Sequence, residues 1–162
     1  MANRDRPRGF WPYGVPKQVV IMEAGSATYP GDLVALASDG QVDPVAAGST
    51  ILGCALGYAS AAGEKIQVSV APEQLYVVQA DETEVDAQTD IGNNCDHLAT
   101  AGNTTYKTSR QELDSSTIAA SAAGLTIIAI NRRPDNAAGE FVDVIVRINE
   151  HQAFGKDAFA GV

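Results

Sequence analysis

The sequence predicts a mainly all-β fold: a small antiparallel β-barrel or sandwich with an extended N-terminal arm, a long polar insertion and a short C-terminal tail. Three observations carry this reading. Between Lys65 and Asp81, Ile66, Val68 and Val70 alternate with Lys65, Gln67 and Ser69, the period of two that gives a strand one wet face. Pro72, with no N–H to donate, interrupts that ladder, and Leu75–Gln79 resumes it with β-branched and aromatic residues. Leu125–Ile130 and Phe141–Ile148 repeat the signature, the latter setting Val142, Val144, Val146 and Ile148 against Phe141, Asp143, Ile145 and Arg147. These runs are short and bounded by turn signals, the spacing of antiparallel strands rather than of βαβ units.

Taken in order, residues 1–18 form the arm. Pro7, Pro12 and Pro16, with Gly9 and Gly14 between them, forbid a regular helix or a central strand. Residues 19–152 form the body. Val19–Ala24 is an apolar first strand, and Tyr29-Pro30-Gly31-Asp32 is a turn in which proline presets φ and glycine accepts a positive one. Leu33–Ala37 is a second strand, closed by the hairpin signal Ser38-Asp39-Gly40, and 44–49 is a small-residue connection. Ile51–Tyr58 holds Gly53 and Gly57, the mark of a bulge or of a corner where backbones approach closely. The predicted strands are 19–24, 33–37, 51–58, 65–71, 74–80, 125–131 and 141–149, with at most one short helix. Residues 82–123 read as a loop-rich insertion. Within it, Asp114-Ser115-Ser116-Thr117 resembles a helix N-cap before an alanine-rich run that ends at Gly124, so 110–123 is open to loop, short helix or both. Arg132-Arg133-Pro134-Asp135-Asn136 is a turn, and residues 153–162 are the tail, with Phe154 and Phe159 among glycine and alanine.

At 162 residues the chain fits one domain with a sizeable core. It has a net charge of −9 and only 6% aromatic residues, with glycine and alanine abundant. The arm carries Arg4, Arg6, Arg8 and Lys17 against Asp5, four cations less one carboxylate or +3, which leaves −12 on the rest. An acidic body argues against nucleic acid as a partner, because phosphate binding rests on cationic contacts. A basic arm on an acidic body suits docking onto an acidic protein surface. No apolar run has the length of a membrane-spanning helix and no apolar core follows the basic N-terminus, so the reading is a soluble, unsecreted chain with no membrane partner. Cys54 and Cys95 are too few for a disulfide framework and read as reduced thiols.

No arrangement of residues requires a catalytic centre. Asp81, Glu82, Glu84 and Asp86 could wrap a hard cation, but they lack the glycine and terminal glutamate of an EF-hand loop, and a solvated acidic loop is the simpler account. Cys95, Asp96 and His97 are consecutive, without the paired spacing of a zinc site, and neighbours on a strand point to opposite faces. There is no nucleophile elbow, phosphate-binding loop or dinucleotide fingerprint. The expectation is therefore a non-enzyme with no cofactor and no metal. The arm is the exception to this blandness. Phe10, Trp11 and Tyr13 sit in it, either folded back onto the chain's own body or anchoring it to another subunit as aromatic and arginine hot spots do. In an extended chain Arg4, Arg6 and Arg8 project from one side, ready for bidentate pairing with carboxylates.

The opening Met1-Ala2-Asn3-Arg4-Asp5-Arg6-Pro7-Arg8-Gly9-Phe10, continued by Trp11-Pro12-Tyr13-Gly14, resembles the start of capsid decoration (cement) proteins of tailed bacteriophages. The likeness extends through Ile51-Leu52-Gly53-Cys54-Ala55-Leu56-Gly57-Tyr58, Lys65–Asp81 and the closing Arg132–Glu150 stretch, and is weakest over 82–123. The resemblance implies a structural virion protein on the capsid exterior, assembled in the host cytoplasm. It also implies homotrimers that clamp neighbouring major capsid subunits. Arg4, Arg6, Arg8, Phe10, Trp11, Tyr13, Phe154 and Phe159 are then the expected capsid or subunit contacts, and a chain lacking residues 2–14 is expected to fold without holding the capsid. Two other classes stand beside it: a host-surface or carbohydrate-binding head protein, and a small hydrolase with carboxylates drawn from Asp81, Glu84 and Asp86. The first would want aromatic platforms, and 82–123 offers only Tyr106. The second would need two carboxyl groups converging with displaced pKa values.

Overall fold

The computed structural model describes residues 3–119 and 121–154. All regular structure among them is β: β1 (Trp11–Pro12), β2 (Val19–Glu23), β3 (Leu33–Leu36), β4 (Val42–Pro44), β5 (Gly53–Ala55), β6 (Lys65–Ser69), β7 (Leu75–Gln79), β8 (Asn94–Leu98), β9 (Glu112–Ala119), β10 (Leu125–Ile130) and β11 (Asp143–Ile148). They form two antiparallel sheets, ordered β1-β7-β11-β10-β8-β9 and β2-β6-β5-β3-β4. The alternating stretch 65–81 is where the chain passes from one sheet to the other. β6 belongs to the five-stranded sheet and β7 to the six-stranded one, with Pro72 at the corner between them.

The main core lies between the sheets. Leu33, Ile51 and Cys54 from the five-stranded side meet Tyr76, Val78, Leu125, Ile127, Val144, Val146 and Ile148 from the other. The five-stranded sheet also curls around a second cluster that includes Val34, Val42, Ala55, Ile66 and Val68, and its two edge strands meet at one parallel bridge, Ala24–Val42. In the six-stranded sheet the ends of β7 and β9 meet at Ala80–Leu113. Neither sheet is closed into a barrel, so the sandwich alternative fits and the barrel alternative is not shown.

Gly53 shows why the fold needs glycine in β5. A Cβ there would lie 2.0 Å from the Ser69 carbonyl oxygen, so the backbones of β5 and β6 could not approach as they do. Gly57 meets no such obstacle.

Four strands lie outside the sequence expectation. β4 forms because Val42 is fully buried opposite Leu36, directly after the predicted hairpin. β8 and β9 lie inside the stretch expected to be loop-rich, and 110–123 holds no helix among its described residues. The polar cluster there makes a bulge instead: the Ser116 amide donates to Asp114 Oδ1 and the Thr117 hydroxyl to the Asp114 carbonyl. The Asp96 amide of β8 donates to Thr117 Oγ1, and the β8–β9 register shifts between Asn94 and Asp96. Short polar side chains that can cap a helix equally satisfy a bulged strand. The fourth, β1, belongs to the arm.

Candidate docking surface

The arm is fastened along β7. It crosses the Tyr29–Asp32 turn at two glycines of positive φ: a Cβ on Gly9 would lie 2.4 Å from the Gly31 oxygen, and one on Gly31 2.7 Å from the Arg8 oxygen. The Phe10 amide then donates to the Gly31 carbonyl at 2.8 Å. β1 pairs with β7, setting Trp11 opposite Val77 and Pro12 opposite Tyr76. Two buried glutamines at the ends of β7 hold the flanks. Gln79 accepts from the Arg6 amide at 2.8 Å and donates to the Arg4 carbonyl at 2.5 Å. Gln74 accepts from the Lys17 amide at 2.9 Å and donates to the Leu75 carbonyl at 2.8 Å. Asn3 ties the far end, its side-chain amide donating to the carbonyls of Ala137 and Glu140.

This geometry separates the three arm aromatics. Phe10 is fully buried in the core between the sheets, edge-on to His97, and its carbonyl accepts from the Cys54 thiol. Its expected role as a partner contact is therefore corrected: a side chain with no exposed surface cannot reach another subunit. The expectation that residues 2–14 are dispensable for folding falls with it. Trp11 and Tyr13 are 38% and 52% exposed, and with Val15, Val19, Val20 and Ile21 they supply exposed apolar groups along successive parts of the chain. The Trp11 ring is not loose, since its Nε1–H donates to the Arg8 carbonyl at 2.9 Å.

Arg4, Arg6 and Arg8 do share one side. With Arg133, Asp135, Asn136 and Asp143 they line a hollow of about 220 Å³. Asp143, nearly buried at its floor, binds Arg133 at 2.6 Å and Arg8 at 3.3 Å. Asn136 holds Asp143 in place, its side-chain oxygen accepting from the Asp143 amide at 2.8 Å and its NH₂ donating to the Asp143 carbonyl. Among these contacts Arg4 and Arg6 engage the body through their backbones, which leaves their guanidinium groups available at the rim.

The remaining candidates are scattered. Phe154 is 64% exposed and lies against His151 with ring planes tilted by 57° and centroids 5.4 Å apart, while Phe159 lies outside the described residues. Cys95 and His97 point into the protein from β8 and Asp96 does not, as strand alternation requires. Burial pushes the Cys95 thiol up to about 12 and the His97 imidazole down, and His97 Nε2 is hydrogen-bonded to the Val45 carbonyl at 3.0 Å. Among the described residues no three His, Cys, Asp or Glu side chains are grouped to hold a metal. Asp86 is spent on its own turn, where the amides of Gln88 and Thr89 hold its carboxyl below the usual range. Asp81 accepts from the Ser115 hydroxyl. Two acids that the sequence did not single out as sites are raised, Asp32 by its burial and Glu112. Burial first, then the carboxylates of Asp5 and Asp81, push Glu112 up to about 7. Tyr106 is exposed on its loop with no second aromatic beside it among the ring pairs of the described residues.

Two of the features that build this surface carry sequence signals. Phe10 and Trp11 are neighbours in an extended chain, so one must face in when the other faces out. The glutamines at the two ends of an apolar strand mark buried polar groups that need partners. No family model matches the sequence, and neither curated proteins nor solved structures give a match.

Proposed function

We propose that this chain is a structural virion protein. In this reading it binds the outer surface of a tailed-phage head and clamps neighbouring major capsid subunits, acting as a homotrimer without catalysis or cofactor. The observation that carries the reading is the arm. It holds exposed apolar groups, Trp11, Tyr13 and Val15, next to an arginine-lined hollow, and it is pinned at both ends by Gln74 and Gln79. A docking element fixed in this way loses little conformational freedom on binding, so its contacts convert to affinity more fully than those of a free tail. The resemblance of the N-terminal stretch to decoration proteins supplies the identity of the partner, the location on the capsid exterior and the threefold number.

The arginines and the aromatics contribute differently. Exposed ion pairs contribute about 0–1 kcal/mol each, whereas a buried aromatic anchor typically costs 2 kcal/mol or more to truncate, roughly thirtyfold in affinity. The test is sedimentation of the purified protein with expanded and unexpanded heads. The expected result is binding to expanded heads, weakened more by Trp11→Ala or Tyr13→Ala than by Arg6→Ala. Unchanged binding by the Trp11→Ala, Tyr13→Ala double variant would show that the arm makes no contact.

A further inference from the structure

The turn that the arm crosses holds a buried carboxylate that the fold leaves half satisfied. Asp32 closes Tyr29-Pro30-Gly31-Asp32 and is only 2% exposed. Its Oδ2 accepts from the Tyr29 amide at 2.9 Å, whereas Oδ1 has no hydrogen-bond partner among the described residues. No cation among them pairs with it, and Lys107 gives its ammonium to the Tyr58 hydroxyl instead. The Ser109 hydroxyl is near enough to ease the charge without bonding Oδ1, and burial still raises the carboxyl above its ordinary range. A buried acceptor left open is destabilising, more so when it carries charge. The turn itself needs one side-chain oxygen, which asparagine would supply as well. The second oxygen and the charge serve something else.

Asp32 lines a hollow of about 450 Å³, within the size range of small-ligand sites. Tyr29, Pro44 and Val45 supply apolar walls, and Ala46 and Ala101 stand exposed at the rim. Gln111, the other buried polar side chain of the lining, gives its oxygen to the Leu33 amide at 2.8 Å. We infer that this hollow binds a primary ammonium group on a short apolar stem, the ammonium donating to Asp32 Oδ1 and the stem lying against Tyr29, Pro44 and Val45. The sign of the charge excludes an anion. A hard metal ion wants six or more oxygen ligands, and among the described residues no three His, Cys, Asp or Glu side chains are grouped to hold one. A lone water could cap Oδ1, but ordered water wants about three polar partners, and these walls are apolar. An ammonium also neutralises the buried charge, which water does not. This site is distinct from the exposed aromatics of the arm and stands whether or not the capsid reading holds.

The experiment titrates n-butylamine hydrochloride into the full chain at constant ionic strength. It follows the Asp32 amide and the Ala46 and Ala101 methyl signals by NMR, which are expected to shift together to saturation. Butan-1-ol, with the same stem and no charge, should bind about tenfold more weakly. Asp32→Asn keeps an oxygen for the Tyr29 amide, so the fold is expected to hold while butylamine binding falls by about tenfold or more. Ala101→Phe, at an exposed position, crowds the mouth and should weaken binding with Asp32 untouched. Nα-Acetyl-lysine methylamide carries the same ammonium stem on a backbone and separates the sources. Binding as tight as butylamine assigns the hollow to a lysine of another polypeptide, and binding of butylamine alone assigns it to a free amine. Signals that stay fixed would mean water at Oδ1 and overturn the site. So would equal binding of butan-1-ol, or shifts that persist in Asp32→Asn, which would place the amine on the acidic surface at large.

Discussion

Phe10 and Trp11 are adjacent aromatics with opposite duties, and single substitutions separate them. Phe10 fills space in the core between the sheets, so Phe10→Ala is expected to cost about 3–5 kcal/mol of stability in equilibrium denaturation. Trp11→Ala is expected to cost about 1 kcal/mol or less, and its effect falls on binding. Glu112 is the residue through which pH acts most legibly. Its carboxyl titrates near 7 in the fold and near 4.5 when free, with burial as the first cause and Asp5 and Asp81 next. The folded value is raised, so its contribution is fully present below about 4.5 and is lost as pH rises through about 7. Glu112→Gln is therefore expected to raise the melting temperature by a few degrees at about pH 8 and to leave it unchanged at about pH 4. A variant that shifts both equally would assign the effect to packing rather than ionisation. His97 and His151 act in the other direction. Burial lowers both imidazoles, so the stability gained by keeping them neutral is present above the ordinary histidine range and lost as pH falls through their folded values.

Among the elements, the arm is a strand addition secured by side chains. β1 is only Trp11–Pro12, too short to hold by its own ladder, and the glutamines of β7 supply the remaining partners. Replacing Gln74 and Gln79 together by leucine leaves the arm's carbonyls and amides to water. Trypsin is then expected to cut after Arg4 and Arg8, but not at the Arg6–Pro7 bond, many times faster than in the parent, while the body stays intact. Equal cleavage rates would mean that β1 and Phe10 suffice. The elements legible in the sequence are those rich in aliphatic and β-branched residues, whether they end up buried on both faces like β11 or exposed like β2. β2, β3, β6, β7, β10 and β11 all begin within two residues of the predicted position. β8 and β9 were not legible, because Asn94-Cys95-Asp96-His97-Leu98 buries a thiol and an imidazole rather than aliphatic groups. In β9 only Leu113 offers a large apolar side chain to the core before the Asp114–Thr117 bulge. Alternation in hydrophobicity vanishes when the inward residues are small or polar, though alternation in burial remains. The docking surface was legible in part: one-sided arginines and aromatic anchors follow from spacing. The burial of Phe10 depends instead on which strand the arm joins, and that is a long-range fact.

At the scale of the whole molecule, the body carries the negative charge while the arm gathers arginines at one hollow, so the surface is polar in the electrostatic sense as well. In the proposed reading such an object docks by complementary patches, and added salt is expected to weaken only the screened part of that attraction. Screening at physiological ionic strength acts beyond about 8 Å, so it reaches the rim arginines Arg4 and Arg6 more than the near-buried Asp143 cluster or the apolar strip. Binding to heads is thus expected to fall with salt to a plateau set by Trp11 and Tyr13, not to zero. Assembly sharpens the effect. In a trimer each weak arm is presented with two others, and the effective concentration of the second and third contacts multiplies affinity by about 10²–10⁴ when the geometry fits. Light scattering is expected to give a trimer at micromolar concentration, and a single-site arm variant should lose more head binding in the trimer than its own contact accounts for. A monomer in solution, together with no trimers on the head, would sink the clamp: an isolated arm with two exposed aromatics and rim charges has too little surface to hold neighbouring subunits against outward pressure.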